Sequence, residues 1–565
     1  MNIDFDKSII FSLKEFESNI SETADSLVKK NIVKRINGRD HTVWSQSHVE
    51  ISNRLAWLDC PSVMKANVEE ITAFVNTVKE KGFTHSLLLG MGGSSLAPEV
   101  FKRTFGVRDG FIDLEVLDST DPRAITEKVK ELDPLKTLYF VSTKSGGTIE
   151  TLSLSKYFFT FVSGNAPAGD KFAAITDPGS GLEQTAIDSS FLKIFLNDPD
   201  IGGRYAALSY VGLAPAGLLG VDLHKLLLQA KRMADQSVLP EISPESNSPA
   251  WLGAVMGSLA LKGINKLSLI LSSKIESLGG WIEQLVAEST GKNGMGILPV
   301  LGEPAMPADF YRTDRIFVYI RLKGNGDKDD FIKRLLDAGK PVIILNLSDL
   351  YDIGAEFFRW EFATAVAGAI LKVNPFDQPN VESAKIRAKE MMVQYKKDGF
   401  ISQPEFSASN HEISIIGGHP EDSAEKLLKL FFKNNCGYVC IQAYVTPSSS
   451  TDIALSMLQK RILELTGAAV TVGYGPRFLH STGQLHKGDD GKGVFLQLSG
   501  NITEDVQIPD KQGLWDSSIS FGTLRIAQML GDRQALVDSG RPVMTVFLKN
   551  EDAALGINYI TEKLS

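Results

Sequence analysis

Two loops carry the first chemistry in this sequence. Gly90–Pro98, GMGGSSLAP, follows one short apolar run, and Ser142–Thr151, STKSGGTIET, follows another. Glycines let backbone N–H groups approach a ligand, and a helix that starts after such a loop favours an anion. Gly93 and Ser94 in the first loop, and Thr143, Lys144, Ser145 and Thr148 in the second, are the candidate anion ligands. Their hydroxyls, amides and single ammonium suit a phosphate monoester, which has about two charges and three acceptor oxygens. Helix capping by Ser or Thr explains one or two of these residues, but not the set. No G-x-x-x-x-G-K-[ST] pattern is present, so a nucleoside triphosphate is not the natural ligand. Asp118 is only a weak candidate for the acid that a dinucleotide site needs.

Four further segments hold reactive side chains. In DPDIGGRYAALSYVGL two glycines place Arg204 just before a helix, where a guanidinium can stabilise a developing oxyanion. WIEQLVAESTGKNG sets Gln284 and Glu288 four apart, on one face of a helix, with Gly291 closing it. Glu288 is a candidate general base. In NPFDQPNVESAK, Pro375 ends one helix and Pro379 begins the next, with Gln378 at the corner and Lys385 two turns in. GYGPRFLHSTGQLHKGDDGKG is a long glycine-rich stretch with two of the eight histidines, His480 and His486. A structureless loop of that length is uncommon unless it is functional. Taken singly, each residue also has a plain structural reading: a salt bridge for Arg204, a surface helix for Glu288, a solvated lysine for Lys385.

Alternating elements must position these residues. HSLLLG, LEVLDS, TLYFVS, KFAAIT and KIFLN read as strands separated by loops and helices, and LSLILSS, RIFVYIRL and PVIILNLSD repeat the pattern. Helices are expected over 352–371 and 379–397. QSVLPEISPESN at 236–247 reads as a linker. The prediction is an α/β protein: a helical segment over 1–80, two doubly wound parallel-sheet domains over 81–235 and 248–397, and a smaller C-terminal α/β unit over 421–565.

The 565 residues carry 59 Lys+Arg against 68 Asp+Glu, a net charge of -9. That balance, with no basic run, argues against a nucleic-acid surface. The longest apolar run, FATAVAGAIL at 362–371, is half of the ~20 residues that span a bilayer, and the first residues do not read as a secretory signal. Three cysteines, Cys60, Cys436 and Cys440, are an odd number for a disulfide framework and read as buried thiols of a cytoplasmic protein. No H-x-H or carboxylate cluster suggests a metal.

Together the motifs resemble the glucose-6-phosphate isomerases, at Gly90–Leu96, Thr143–Thr151, Gly202–Ala206, Gln284–Lys292 and Phe376–Lys385, in the family's order. Departures are the two glycines of STKSGGT, Ala206 where Ser is usual, Asn380 where Gly is usual, and no His between Glu288 and Lys385. YGPRFLHSTGQLHKG instead resembles a family stretch displaced toward the C-terminus. That order, with RLAWL at 54–58 and FGTLRIAQMLGD at 521–532, is most similar to the isomerase half of fused transaldolase–isomerase proteins. A transaldolase barrel needs ~250 residues, more than precede Arg54 in this sequence, so an isomerase module standing alone is expected.

The resemblance implies two sugar-isomerase (SIS-type) domains and reversible conversion of glucose 6-phosphate to fructose 6-phosphate through a cis-enediolate, without metal or cofactor. Glu288 would be the base and Arg204 the enediolate stabiliser. Lys385 and a histidine would open the ring, with His486 the first choice and His480 the runner-up. Gln284 and Gln378 would line the site. A cytoplasmic homodimer acting on a small sugar phosphate is implied, with the histidine supplied by the neighbouring subunit, and no nucleic acid or membrane. Another hexose phosphate such as mannose 6-phosphate, or a non-catalytic sugar-phosphate sensor on the same fold, remains the alternative.

Overall fold

The structure is a computed structural model and describes residues 5, 7–420, 422–433 and 436–564. The outer limits 1, 421 and 565 of the predicted units lie outside the described residues.

Apolar runs in the first domain form five parallel strands, in the spatial order Asp113–Leu117, His85–Gly90, Thr137–Ser142, Phe172–Thr176, Lys193–Leu196. The runs are almost continuously apolar because both faces are covered. Leu88, Phe140 and Ile175 enter one core, while Leu87, Leu89, Tyr139, Val141 and Ala174 enter another. From His85–Gly90 the chain goes first to one side of the sheet and then to the other. Gly90 lies opposite Ser142, so the two phosphate-type loops leave the same sheet edge at the point where the strand order reverses. Such a crevice is where open α/β sheets bind ligands.

The second sheet runs Ile9–Ser12, Val342–Leu347, Arg315–Leu322, Lys266–Leu271, Leu298–Val300. All neighbours are parallel except the first pair. The N-terminal segment is therefore not helical throughout: Ile9–Ser12 covers the edge of Val342–Leu347, whose backbone groups would otherwise face water. Helix Cys60–Glu80 follows, with Val68, Ile71, Val75 and Val78 repeating at helical spacing along its buried face. The linker-like stretch after helix Leu223–Ser237 is tied down, because the Ser237 carbonyl accepts from Asn37 Nδ2 and Asn247 Nδ2, both at 3.2 Å.

The C-terminal unit has the widest sheet, six strands in the order Ala408–Ser409, Ile413–Ile416, Val543–Leu548, Gly493–Ser499, Tyr438–Tyr444, Ala469–Tyr474. Val439, Ile441, Leu496 and Val546 share a core with Phe317, Tyr319 and Ile344 of the second sheet. Helix Glu382–Asp398, grouped by sequence with the second domain, packs elsewhere. Its Met392 joins Phe521, Leu524 and Ala527 of helix Phe521–Asp538, so Lys385 is held by the C-terminal unit. Among the described residues no helix is long and apolar enough to cross a membrane.

Candidate active site

Helix Leu278–Thr290 presents Gln284 and Glu288 on one face: Gln284 Nε2 donates to Glu288 Oε2 at 3.1 Å. Glu288 Oε1 lies 3.3 Å from Arg204 Nη1. Arg204 comes from the short turn Gly203–Tyr205 and is buried. Four of its five N–H donors make hydrogen bonds. Nε donates to Ser289 Oγ at 2.8 Å, Nη1 to Gln378 Oε1 at 2.9 Å, and Nη2 to the carbonyls of Pro375 at 2.7 Å and Asp377 at 2.9 Å. Glu288 takes the remaining direction. A carboxylate and a guanidinium are thus held side by side in a largely buried place, an arrangement able to move a carbon-bound proton and stabilise the anion left behind.

The histidine reached is not the first choice. His486 is fully buried between Phe478 and Phe495, with ring centroids 6.0 and 5.0 Å away. Its Nδ1 lies 3.4 Å from Gln442 Nε2, and its Nε2 has no hydrogen-bond partner among the described residues. The inserted Leu485 explains the register: Leu485 and His486 fall on the inner face of the short helix Gly483–Gly488, which docks on the end of the Glu288 helix. Gln484 fixes that docking by donating to the Gly291 carbonyl at 2.9 Å and to Asn380 Oδ1 at 2.7 Å. The long glycine-rich stretch is therefore folded, with the turn Arg477–His480 ahead of this helix.

His480 opens onto the cavity instead. Its Nε2 is 2.8 Å from Glu150 Oε1, and its carbonyl accepts from Gln284 Nε2 at 2.7 Å. Burial works against a charge on His480, but Glu150 outweighs it and holds the imidazole above its ordinary range. The charge of Lys385 pushes the other way, and that of Glu288 supports Glu150. Glu150 also accepts from Gln528 Nε2 at 2.6 Å. Gln284 belongs to the Glu288 helix, so a histidine of the same chain stands beside the Glu288–Arg204 pair.

A cavity of about 670 Å³ lies between the helices Ile149–Ser163 and Glu382–Asp398, and is lined by Ser145, Gly147, Thr148, Glu150, Lys385 and His480 among others. Thr148 does not cap its helix; its Oγ1 lies 3.1 Å from Thr143 Oγ1. The first-turn N–H groups of that helix are left without a side-chain cap, at the wall of the cavity. Gly146 has φ +66°, and a Cβ there would meet the Leu182 amide at 2.7 Å, so the second loop needs its glycine. Lys144 turns away from the cavity to pair with Asp177 and donates to the Pro199 carbonyl at 2.6 Å. Gly93 and Ser94 face Gly203 rather than the cavity, and Gly92, at φ +55°, lies so close that a Cβ would meet the His480 carbonyl at 2.8 Å. Lys385 is exposed, 3.7 Å from Glu382, on the wall opposite Thr148. Asp118 accepts from Ser95 Oγ at 2.9 Å and lies 3.4 Å from Arg477, a structural use. The three cysteines are free and buried.

Sequence reasoning missed Glu150 and Gln528. Glu150 stands inside the second loop motif, where a buried acid in the first turn of a helix was the available signal; Gln528, 378 residues further along, lies in the FGTLRIAQMLGD segment that carries the resemblance, but nothing local pairs it with Glu150.

With this geometry in view, residues 42–295 match the family model for phosphoglucose isomerase. That stretch is similar to the phosphoglucose isomerases. A probable glucose-6-phosphate isomerase of Methanococcus maripaludis is 28% identical over 357 residues, covering 56% of this chain and 81% of that protein. The glucose-6-phosphate isomerase of Rubrobacter xylanophilus is 29% identical over 375 residues, covering 57% and 85%. Among solved structures, a hypothetical protein of Thermus thermophilus superposes with a TM-score of 0.59 at 22% identity, covering 68% of this chain and 99% of that one. A glucose-6-phosphate isomerase of Chlamydia trachomatis gives the same TM-score at 17% identity, covering 69% and 89%. The family match takes in the first-loop glycines, Arg204 and Glu288, and ends before Lys385 and both candidate histidines.

His486 leads to a stability prediction. Burial first, then the charges of Lys487 and Arg541, hold its imidazole well below the ordinary range. The unfolded value is ~6.5. Above that pH the group is neutral in both states and its contribution is fully present. As pH falls below it, the unfolded chain takes up the proton first and stability is lost, at up to ~1.4 kcal/mol per pH unit. Urea titrations between pH 5 and 7 are expected to show a shallower loss for His486→Leu than for the wild type, with activity retained at neutral pH. Loss of activity at an unchanged slope would return His486 to the mechanism.

Proposed function

We propose that this protein interconverts glucose 6-phosphate and fructose 6-phosphate through a cis-enediolate. The observation that carries the reading is the Glu288–Arg204 pair, 3.3 Å apart, fastened through Gln284 to the His480 backbone. The phosphate sits at Ser145, Thr148 and the uncapped first turn of helix Ile149–Ser163, away from the reacting carbons, where its binding energy orients the chain. Lys144, engaged by Asp177, acts on the loop rather than on the phosphate. His480, with Glu150 behind it and Lys385 across the cavity, moves a proton between the ring oxygen and the C1 hydroxyl. Glu288 then takes the C2 proton and returns it at C1. Arg204 faces the oxygen that gains charge, and Gln378 keeps the guanidinium turned toward it. Glu288 and Lys385 together favour this over a sugar-phosphate sensor, which needs neither.

A coupled assay of the purified protein with glucose 6-phosphate, and in parallel mannose 6-phosphate, tests the reading. Turnover of glucose 6-phosphate in the presence of EDTA supports it. Turnover of mannose 6-phosphate alone would move the assignment to the other hexose phosphate, and binding without turnover to the sensor.

His480→Ala is expected to slow turnover of cyclic glucose 6-phosphate by about 10²-fold, the lower end for general acid–base groups, since the ring also opens unaided. Solvent exchange at C2 of an open-chain aldose phosphate should be spared. In a cytoplasmic homodimer each chain would carry a complete site. Mixed Glu288→Gln and His480→Ala subunits should then restore no activity in proven hybrids; restoration would show that subunits share the histidine.

A further inference from the structure

One buried cation near the site has no part in the mechanism above. Lys292 is two residues past the end of the Glu288 helix and is buried. Its Nζ donates to the Asn374 carbonyl and lies 2.8 Å from Asp377 Oδ1. Residues 374–378 form the corner between helices Ile353–Leu371 and Glu382–Asp398, and they lie in no regular element. This same corner supplies Arg204 with the Pro375 and Asp377 carbonyls and with Gln378 Oε1. Three of the five partners of the guanidinium therefore stand on five residues that Lys292 grips at two points. Asn374 adds a third tie, donating from its side chain to the Glu50 carbonyl at 3.4 Å.

We propose that Lys292 is a positioning residue for the isomerisation: through Asn374 and Asp377 it fixes the 374–378 corner, and so sets the direction in which Arg204 faces Glu288 and the enediolate. The inference rests on the reading of Arg204 given above. Burying an ammonium ion carries a desolvation cost that a merely space-filling residue would avoid. That cost shows in the group itself: burial, with the charge of Arg204 close by, brings Lys292 down to about 7, while Asp377 and Glu288 pull it up. A lysine kept in so unfavourable a place is explained by the two acceptors its Nζ holds. Small errors suffice to matter, since a misplacement of about 1 Å in a catalytic group costs ~10²-fold.

The test uses Lys292→Met and Asp377→Asn in the full chain, alone and combined with Arg204→Lys. Each single variant is expected to lose about 10- to 100-fold in kcat for glucose 6-phosphate, with KM changed less than about threefold, because the phosphate loop is untouched. In the Arg204→Lys background Lys292→Met should cost less than about threefold more. A general loss of folded protein would also lower apparent kcat at unchanged KM, so kcat is taken per folded molecule; such a loss would in addition multiply with Arg204→Lys. If Lys292→Met does not fold, Asp377→Asn, at a partly exposed side chain, decides the matter. A crystal structure of whichever variant folds provides a readout independent of activity: a guanidinium that has left the Pro375 or Asp377 carbonyl supports the proposal, and one unmoved overturns it. Full activity of both variants, or multiplicative effects, would also overturn it. A wild-type protein without isomerase activity would defeat the assignment of the reaction and leave the crystallographic comparison to judge the positioning.

Discussion

Glu288→Gln is expected to lower kcat by ~10²–10⁴ while leaving the fold and the binding of a phosphorylated inhibitor intact. The amide is nearly isosteric with the carboxylate. Glu288 has one oxygen 3.1 Å from Gln284 Nε2 and the other 3.3 Å from Arg204 Nη1, so the substitution has to keep an acceptor toward at least one of them. It can do so by setting its carbonyl toward Arg204, which leaves its NH₂ facing Gln284. What it cannot do is accept the C2 proton. Phosphate binding stands on another element, the start of helix Ile149–Ser163, and should not follow the loss. The decisive measurement is single-turnover exchange of the C2 proton beside inhibitor affinity. A variant that keeps most of its activity would remove Glu288 as the base, and one that loses inhibitor binding equally would indicate a damaged site.

Arg204→Lys should cost ~10²–10³ in kcat/KM, the range seen when one oxyanion donor is removed. A lysine keeps the charge but has a single nitrogen where the guanidinium presents five directed donors. The Pro375 and Asp377 carbonyls, Ser289 Oγ and Gln378 Oε1 cannot all be satisfied by it. A stability loss of ~1–3 kcal/mol for each acceptor left buried and unpaired is therefore also expected. Thermal unfolding followed beside the kinetics separates the two effects: activity per folded molecule is the quantity that should fall. Normal activity per folded molecule would take Arg204 out of the chemistry and leave it as a brace between the first domain and the 374–378 corner.

The strands of both parallel sheets were legible because each is an apolar run of strand length bounded by glycine or polar loops. His85–Gly90, Thr137–Ser142 and Arg315–Leu322 fall where the sequence alone puts them. Leu298–Val300 was not seen, since three residues are too few to show a period. Nor was Ile9–Ser12, whose pairing with Val342–Leu347 lies more than 300 residues away and leaves no local mark. Glu382–Asp398 was recognised as a helix but given to the wrong neighbour. Helical spacing tells that Met392 is buried, and only packing tells that it is buried against Leu524 and Ala527.

The site divides in the same way. Sequence by itself determined which candidate groups sit in compact motifs: the loop hydroxyls, Arg204 before its helix, and Gln284 and Glu288 at a spacing of four, because one turn of backbone fixes which of these side chains share a face. It also narrowed the histidine to two positions. Only tertiary structure gives the two different surroundings. His480 and His486 differ by six residues, yet one contacts Glu150 at the wall of the cavity and the other is sealed between Phe478 and Phe495. Tertiary structure likewise turned Lys144 toward Asp177, brought Gln528 to Glu150, and set Lys292 beneath the corner that holds Arg204. Each of these depends on which charge or cavity lies across from the side chain. Charge pairing and desolvation act through space over a few ångströms, between residues up to 378 positions apart along the chain, and no local pattern of residue types encodes that distance.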